Sequence, residues 1–397
     1  MLDIKKEDKE NILNTYKRFD LVIKEGKGAT FTDYDGKKYI DFSSGIGTNS
    51  FGACDKEWID AVTKQINLVQ HTSNLYYTEP QVKLAKLLCE KTNMKKVFFG
   101  NSGAEANECA IKAARKYSFD KYGMGRSEII TLINSFHGRT IATLSATGQD
   151  VFHNYFFPFV DDFKYAPAND IEALKNLISN KTCAIMIETV QGEGGVNALN
   201  PEYIKFIDKI CKEKDLVFIV DEVQTGNGRT GYLYSYMEYD VNPNIVTTAK
   251  GLAGGLPFAA ILFDEKLQNT LSYGEHGTTF GGNPVCASAA YSVLKRLDDN
   301  LFNHVKEARK IIEERLKNEK NVVSISGKGL MVGIELKEGI KAIDVANCAI
   351  KNGVIPLTAK SKIRLLPPLN ITFEELNLGL DLLIKSINEV AKWWNIY

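Results

Sequence analysis

The amino-acid sequence predicts an α/β fold, with a large domain built on a mostly parallel sheet and a smaller α+β domain formed by both chain ends. Apolar runs in the middle of the chain alternate with segments of helical periodicity, a pattern typical of strands buried on both faces of a parallel sheet. Hairpin-like sequence precedes these runs, and long charged helical segments alternate with short strands after them. We therefore expect residues 1–45 and 285–397 to form the small domain and residues 46–284 to form the large one.

Each predicted element has its own sequence signal. The segment GKGATFTDYDGKKYIDF (26–42) predicts a hairpin that turns at Asp35-Gly36. Small apolar residues recur at helical spacing in AEANECAIKAARKYS (104–118), and a longer, charged helix is predicted at 303–320. The predicted strands are KVFFG (96–100), EIITLI (128–133), CAIMIE (183–188), LVFIVDE (216–222), NIVTTA (244–249), FAAILF (258–263), LMVGIEL (330–336) and KIRLLP (362–367).

Composition and charge exclude several classes of protein. Lys plus Arg and Asp plus Glu both number 49, and the resulting zero net charge argues against a nucleic-acid partner or a basic membrane-binding surface. No apolar run is long enough to span a bilayer, and no hydrophobic signal region follows the charged first residues. The seven cysteines are scattered and form no CxxC motif, so neither a metal site nor a disulfide framework is indicated. We expect a cytoplasmic, soluble enzyme or binding protein.

Two glycine-containing segments are candidates for binding a phosphate. The pattern GxGxxG occurs at 226–231, but polar residues separate it from the preceding strand and no clear helical sequence follows, so a flexible loop is favoured over a dinucleotide site. In FFGNSGAEANE (98–108) a predicted strand ends in glycine and a helix begins, an arrangement whose free N–H groups and helix dipole suit a phosphate. Ser102-x-x-Glu105 is also a helix-capping box, and on this stretch alone both interpretations stand.

Lys250 and Asp221 indicate which phosphate-bearing group the chain binds. Lys250 follows the apolar run 244–249 and precedes a glycine-rich segment, so burial would lower its pKa and make it nucleophilic toward an aldehyde. Asp221 ends another buried strand, where a carboxylate requires a cationic partner. Pyridoxal phosphate (PLP) meets both needs, because its aldehyde reacts with a lysine and its pyridinium nitrogen pairs with an acidic residue. The large domain is therefore predicted to bind PLP.

The sequence also resembles the class III (ω-amino acid) aminotransferases over nearly its whole length. The matching stretches, in the order found in the family, are DYDGKKYIDFSSGIGTNSFG, NSGAEANECAIKAARK, SFHGRTIATLSATGQ, ETVQGEGGV, DEVQTGNGRTG, AKGLAGGLP, TTFGGNP and IRLLPPLNIT. The resemblance implies PLP fold type I, PLP as the cofactor, and a homodimer with active sites at the subunit interface.

The resemblance further implies which residues hold the cofactor. Lys250 would form the Schiff base with PLP and carry protons, and Asp221 would pair with the pyridine nitrogen. The other cofactor contacts would be Ser102, Gly103 and Ala104 at the phosphate, Phe136 on one ring face, Gln224 near the 3-hydroxyl, Val223, and Thr279, which would reach the phosphate of the cofactor bound by the other subunit. Glu222 and His137 receive no chemical role: a structural salt bridge is favoured for Glu222, and no catalytic task is assigned to the imidazole of His137.

Four more residues would select the substrates. Arg139 would bind a carboxylate remote from the reacting amine, and Thr278 would line the neighbouring pocket. Arg364 would grip the α-carboxylate of 2-oxoglutarate or glutamate through a bidentate pair. Glu193 would pair with Arg364 until the keto acid displaces it, because an unpaired buried guanidinium is unfavourable.

Two motifs, FHGRTIATLSATGQ and IRLLPPLNIT, most resemble family members that act on N2-acetyl-L-ornithine. The expected reaction transfers its 5-amino group to 2-oxoglutarate and gives N-acetyl-L-glutamate 5-semialdehyde and L-glutamate, a step of arginine biosynthesis. Ornithine, succinylornithine and 4-aminobutyrate stay open as alternative donors. An intramolecular aminomutase is disfavoured by the Glu193–Arg364 pair, and a non-enzymatic regulatory module is disfavoured because Lys250, Asp221 and Arg364 are all present.

Overall fold

The computed structural model describes residues 3–394 of the chain. Residues 1–2 and 395–397, the outermost ends of the two predicted small-domain segments, lie outside the described residues. The α-helices are α1 (Ile4–Asn11), α2 (Ser44–Gly47), α3 (Lys56–Ile66), α4 (Glu79–Thr92), α5 (Gly103–Tyr122), α6 (Ile141–Ala146), α7 (Ile171–Leu177), α8 (Pro201–Lys214), α9 (Pro284–Leu294), α10 (Asp299–Leu316), α11 (Ala342–Asn352) and α12 (Phe373–Trp394). Short 3₁₀ helices occupy Asp150–Phe152, Ser235–Tyr239 and Lys250–Ala253. Within the described range, no helix is both long and apolar enough to cross a membrane.

The strands follow the predicted apolar runs closely. They are β1 (Ile23–Lys27), β2 (Thr30–Asp33), β3 (Lys38–Asp41), β4 (Lys96–Gly100), β5 (Glu128–Leu132), β6 (Phe163–Ala166), β7 (Thr182–Ile187), β8 (Val190–Gln191), β9 (Asn197–Ala198), β10 (Val217–Asp221), β11 (Ile245–Thr248), β12 (Ala259–Phe263), β13 (Val322–Lys328), β14 (Met331–Leu336), β15 (Val354–Ile355), β16 (Leu357–Ala359) and β17 (Lys362–Leu365). The predicted hairpin around Asp35-Gly36 forms between β2 and β3.

A seven-stranded sheet forms the centre of the molecule, in the order β4-β12-β11-β10-β7-β5-β6. The strands from β11 to β6 pair in parallel, whereas β12 is antiparallel to both β11 and β4. Side chains of β10 alternate between two cores: Val217 and Ile219 pack with α5, and Phe218 and Val220 pack with α8. Burial on both faces explains the continuous apolar runs, and the predicted mostly parallel α/β architecture is confirmed.

Both chain ends contribute to a smaller α+β region. β1, β2 and β3 pair antiparallel, and β3 then pairs in parallel with β15 from the C-terminal part of the chain. A second antiparallel sheet has the order β13-β14-β17-β16, and α11 and α12 pack together beside it. The predicted small domain built from both chain ends is confirmed. Its boundaries at residues 45 and 285 stay predictions.

The glycine-rich segment 226–231 forms a buried turn that contacts this smaller region. Arg229 Nη1 donates to the carbonyl oxygens of Pro367 (2.5 Å) and Leu330 (3.2 Å), and the Arg229 carbonyl accepts from the Leu330 N–H (2.9 Å). No helix follows the turn directly, so the segment is not a dinucleotide-binding loop. Through these hydrogen bonds, the segment instead connects the end of β17 with the end of β10 in the central sheet.

The carboxyl ends of the parallel strands meet at one edge of the central sheet, where ligands bind in α/β proteins. Asp221 is the last residue of β10, Glu188 follows β7, and Lys250 lies just beyond β11. α5 begins at Gly103, shortly after β4 ends. The smaller region brings Arg364, on β17, into contact with the residues of this edge.

Candidate active site

A cleft of about 540 Å³ opens at this edge of the sheet. The predicted residues that line it are Ser102, Gly103, Ala104, Phe136, Arg139, Asp221, Val223, Gln224 and Lys250. Glu193 and Arg364 hydrogen-bond to Gln224 at its border, and Thr278 Oγ1 accepts from Nδ2 of the lining residue Asn101 (3.0 Å). Thr279 is exposed and does not line the cleft of its own subunit. The structure therefore brings together every predicted site residue except Thr279.

Asp221 is buried at the end of β10 and accepts three hydrogen bonds from N–H groups. Its Oδ1 accepts from the Val223 backbone (3.0 Å), and its Oδ2 accepts from Asn107 Nδ2 (2.8 Å) and His137 Nδ1 (2.8 Å). Because a carboxylate only accepts, Nδ1 is the protonated ring nitrogen of His137. Three N–H donors thus satisfy the hydrogen-bonding capacity of this buried carboxyl group. His137 thus hydrogen-bonds to Asp221, a contact that could not be predicted from the FHGR motif.

Asn107 is a site residue that sequence analysis missed. Its Nδ2 donates to the His137 carbonyl (2.7 Å) as well as to Asp221, and its Oδ1 accepts from Thr247 Oγ1 (2.7 Å). These bonds fix the orientation of the amide. The available signal was an asparagine on the helical face that Ala106 and Ala110 make apolar, because a buried amide there must find partners in the protein.

Lys250 begins the 3₁₀ helix after β11 in a left-handed backbone conformation, with φ of 42°. Burial lowers the pKa of its ammonium group, the nearby Glu193 carboxylate opposes this shift, and Arg364 adds to it. Within residues 3–394, no carboxylate forms an ion pair with its Nζ. A lysine in this state releases its proton easily and can act as a nucleophile or a base.

The start of α5 offers free N–H groups. Ser102 Oγ accepts from the Glu105 backbone (3.2 Å), but Glu105 Oε2 accepts from the Asn101 N–H (2.5 Å), so only half of the predicted capping box forms. In the described part of the chain, the N–H groups of Gly103 and Ala104 donate to no protein oxygen. A Cβ on Gly103 would lie 2.7 Å from Cγ1 of Val223, so glycine is required for this close approach. The stretch can therefore act both as a helix cap and as a phosphate site, because capping by Ser102 leaves the N–H groups of Gly103 and Ala104 free for an anion.

Arg364, Glu193 and Gln224 form a polar cluster at the border of the cleft, in which Arg364 is buried and the other two are half-buried. Arg364 Nη1 donates to Glu193 Oε1 (2.5 Å) and to Gln224 Oε1 (3.2 Å), and Gln224 Nε2 donates to Glu193 Oε1 (3.3 Å). Burial alone would raise the pKa of Glu193, but Arg364 outweighs it and holds that pKa below its ordinary value. Arg364 Nε is buried and has no hydrogen-bond partner in the described residues. The guanidinium therefore retains capacity for a further anionic ligand.

Arg139 is held in a different way from Arg364. Its guanidinium carbon lies 4.2 Å from the ring centroid of Phe152 and 5.5 Å from that of Phe136. No carboxylate of residues 3–394 pairs with it. Phe136 in turn is fixed through its backbone N–H, which donates to Glu188 Oε1 (2.8 Å).

Glu188, which lines the cleft, and Glu222, which follows Asp221, are both buried acids. Burial raises the pKa of each to about 7, and the neighbouring Asp221 charge acts in the same direction. Glu222 accepts from Thr225 Oγ1 (2.5 Å) and from the Tyr236 N–H (2.8 Å), and it forms no ion pair within residues 3–394. Glu222 is structural, as expected, but hydrogen bonds rather than a salt bridge hold it.

The substitution Glu222→Gln is expected to stabilise the folded protein at neutral and higher pH, because the amide cannot ionise. Burial raises the pKa of Glu222 from 4.5 to about 7, so the folded protein favours the protonated acid. The contribution of Glu222 to the free energy of unfolding is fully present below its ordinary pKa and is lost as the pH rises through its folded pKa. The change is roughly 3 kcal/mol. The variant should therefore unfold at a higher temperature than wild type near pH 8, and the advantage should shrink near pH 5.

Thermal unfolding at both pH values tests this expectation, with the exposed Glu338→Gln as the matched control. The control should change the unfolding temperature little at either pH. Equal shifts of the Glu222→Gln variant at both pH values would contradict the raised pKa.

The residues of the cleft fit PLP. A lysine of lowered pKa, a buried carboxylate and free N–H groups at a helix start lie around one cavity, which suits a group that carries an aldehyde, a pyridine nitrogen and a phosphate. With the mostly parallel sheet and the small domain from both chain ends, this site defines a PLP-dependent enzyme of fold type I.

Comparison with known proteins identifies the family. The family model described as aminotransferase class-III matches residues 12–387. The chain is 50% identical over 388 residues to the acetylornithine aminotransferase of Haemophilus ducreyi, which covers 98% of this chain and 99% of that protein. It is 41% identical over 369 residues to the succinylornithine transaminase of Photorhabdus laumondii, covering 91% and 92% of the two chains. A solved ornithine aminotransferase from Toxoplasma gondii, with partial PLP occupancy at its active site, matches with a TM-score of 0.93 at 30% identity, covering 99% and 96%. The chain therefore belongs to the class III aminotransferases, which are PLP-dependent transaminases.

Proposed function

We propose that this chain transfers the 5-amino group of N2-acetyl-L-ornithine to 2-oxoglutarate. The products are N-acetyl-L-glutamate 5-semialdehyde and L-glutamate. The Arg364–Glu193 pair carries the proposal: it supplies a cation for the α-carboxylate of the keto acid and an anion that neutralises this cation when an ω-amino donor is bound. The identity of the donor is supported by relatives named acetylornithine aminotransferase, at 50% and 44% identity.

The proposed cofactor, PLP, would be held by residues that line the cleft. Bound PLP supplies an electron-withdrawing ring that stabilises negative charge on the substrate carbon beside the amine. Asp221, held by three N–H donors, would pair with the pyridine nitrogen and keep it protonated. The other residues that would hold it all line the cleft: Phe136 and Val223 would contact the ring, Gln224 the 3-hydroxyl, and Ser102, Gly103 and Ala104 the phosphate.

Lys250 is the proton carrier. Its Nζ removes a proton from C5 of acetylornithine in the first half of the reaction and delivers a proton to Cα of glutamate in the second. Burial lowers the pKa of Lys250, so the neutral amine that accepts a proton is more abundant than in an exposed lysine. The amino group that leaves the donor appears on glutamate, so the two half-reactions balance.

Arg364, Arg139 and Thr278 select the substrates. The α-carboxylate of 2-oxoglutarate binds Arg364 in place of Glu193, whose side chain is 30% exposed and can turn toward solvent, whereas that of Arg364 is 4% exposed. Arg139 binds the carboxylate of acetylornithine, because it lines the cleft and has no acidic partner in residues 3–394. Thr278 lies beside the cleft through its bond to Asn101.

The working unit is a homodimer in the cytoplasm. Thr279 is exposed in its own subunit and, in the dimer, reaches the phosphate of the cofactor bound by the other one. Large apolar side chains nearby, Tyr273 and Phe280, are also exposed, as a subunit interface requires. In each subunit, the proposed small domain comprises segments 1–45 and 285–397 of the sequence, and the proposed large domain comprises 46–284.

A panel of amine donors tests the proposed reaction. Purified enzyme with PLP and 2-oxoglutarate is given acetylornithine, succinylornithine, ornithine or 4-aminobutyrate, and glutamate is measured. We expect the largest kcat/KM for acetylornithine and ping-pong kinetics when both substrates are varied, because the two substrates occupy one site in turn.

Two outcomes would reject the proposed reaction. If acetylornithine were among the poorest donors, the specific assignment would fall while the family membership stood. Turnover of a single amino acid without any keto acid would instead indicate an aminomutase. Such an enzyme binds no separate keto acid, so it would not require the exchange of Glu193 for a keto-acid carboxylate at Arg364. Succinylornithine is the main competing donor, because a relative with that name is 41% identical.

A further inference from the structure

Phe152 lies next to Arg139 but does not itself line the cleft. We propose that Phe152 is a positioning residue that determines specificity for donors carrying a carboxylate remote from the reacting amine. The inference rests on the proposed function, because it assigns to Arg139 the recognition of the donor carboxylate.

The geometry of the cluster carries the inference. The guanidinium carbon of Arg139 is 4.2 Å from the centroid of the Phe152 ring, nearer than the 5.5 Å to Phe136. The two rings lie 5.9 Å apart with their planes at 71°, an edge-to-face contact. Phe152 therefore supports the guanidinium and the ring of Phe136 at the same time.

Contact with an aromatic face has a specific consequence for ligand binding. A carboxylate partner would occupy N–H donors of the arginine, as Glu193 does for Arg364. An aromatic face restrains the guanidinium without using any N–H donor, so all of them stay available to an incoming carboxylate. Arg139 can thus bind its ligand without first releasing an internal anion, whereas Arg364 must exchange one.

The backbone holds Phe152 in place beside Arg139. It ends the 3₁₀ helix Asp150–Phe152, and its N–H donates to the Gln149 carbonyl (3.0 Å). The side chain of Gln149 donates to the Ser135 carbonyl (3.0 Å), one residue before Phe136. This hydrogen bond holds the 3₁₀ helix against the segment that contains both Phe136 and Arg139. Further along the loop, Phe156 is exposed, and its only ring contact among the described residues is with Tyr155.

The test compares donors with and without the carboxylate. N-Acetylputrescine is acetylornithine without its carboxylate, so it presents the same amine and amide but gives Arg139 nothing to bind. The variant Phe152→Leu removes the aromatic face, Phe152→Tyr retains it, and Phe156→Leu is the matched control in the same loop. Each is purified as the PLP-loaded enzyme, and kcat and KM are measured for both donors and for 2-oxoglutarate.

Phe152→Leu should lower kcat/KM for acetylornithine by roughly 3- to 30-fold, mainly through a higher KM. The values for N-acetylputrescine should change less than about twofold, as should all values for Phe152→Tyr and Phe156→Leu. The value for 2-oxoglutarate, which also carries a carboxylate remote from its reacting carbon, should fall in the same direction as that for acetylornithine. Equal losses with both donors, or no loss with acetylornithine, would overturn the inference. If wild type rejects acetylornithine, the proposed function fails separately, and the comparison uses the best carboxylate-bearing donor and its decarboxylated analogue.

Discussion

Replacing Lys250 by alanine should lower the rates of both half-reactions by roughly 10²- to 10⁴-fold, the usual contribution of a positioned proton carrier. The structure places this lysine at the cleft, with burial lowering its pKa and no ion-pair partner for its Nζ in residues 3–394. Among the residues that the structure describes, no other lysine lines the cleft, so none of them can take over proton transfer. Rapid-quench measurement of the semialdehyde formed from acetylornithine, and of the glutamate formed from 2-oxoglutarate, gives both rates.

Small primary amines provide a sharper form of this experiment. A dissolved amine such as methylamine can fill the space of the missing side chain and accept the proton, so the rate of the Lys250→Ala variant should rise with amine concentration. Lys56→Ala, which removes an exposed lysine remote from the cleft, is the control and should behave as wild type. A fall of less than tenfold in either half-reaction, or a rate indifferent to added amine, would contradict the assigned role.

Much of the fold was predictable because the strands of the central sheet are buried on both faces. Such strands must be continuously apolar, and the predicted KVFFG segment coincides with β4, while the other large-domain predictions differ from the observed strands by a residue or so at their ends. β6 was not predicted. It lies at the edge of the sheet, where FKYA is only partly buried and lacks a continuous apolar pattern.

Site residues that belong to a chemical motif were predictable. Residues that only contact these motifs in the folded structure were not. Asp221 ends one apolar strand and Lys250 follows another, so their positions alone suggested a buried carboxylate and a buried, nucleophilic lysine. Asn107 and Phe152 contact these motifs only in three dimensions: one is an amide on an apolar helix face, the other an aromatic in a loop. The local sequence indicates that Asn107 lies on an apolar helix face but not which groups it contacts, and it does not distinguish Phe152 from an ordinary loop aromatic, because the partners lie elsewhere in the chain.

Replacing Arg364 by alanine should damage the keto-acid half-reaction selectively. The guanidinium is the buried cation proposed to bind the α-carboxylate of 2-oxoglutarate, and the donor has no carboxylate at its reacting carbon. Loss of two hydrogen bonds to a charged ligand, at about 1.5–3 kcal/mol each, lowers kcat/KM for 2-oxoglutarate by roughly 10²- to 10⁴-fold. The same rapid-quench assays should give a much smaller change, within about tenfold, in the rate with acetylornithine.

Two further variants separate ligand binding from general damage. Arg364→Lys keeps the charge but loses the planar fork of donors, so its kcat/KM for 2-oxoglutarate should lie between those of wild type and Arg364→Ala. Arg315→Lys alters a partly exposed arginine that pairs with Asp381 far from the cleft, and it should leave both half-reactions unchanged because such pairs contribute little. If Arg364→Ala slowed both half-reactions by the same factor, Arg364 would be supporting the site as a whole, and the exchange of Glu193 for the keto-acid carboxylate would have to be abandoned.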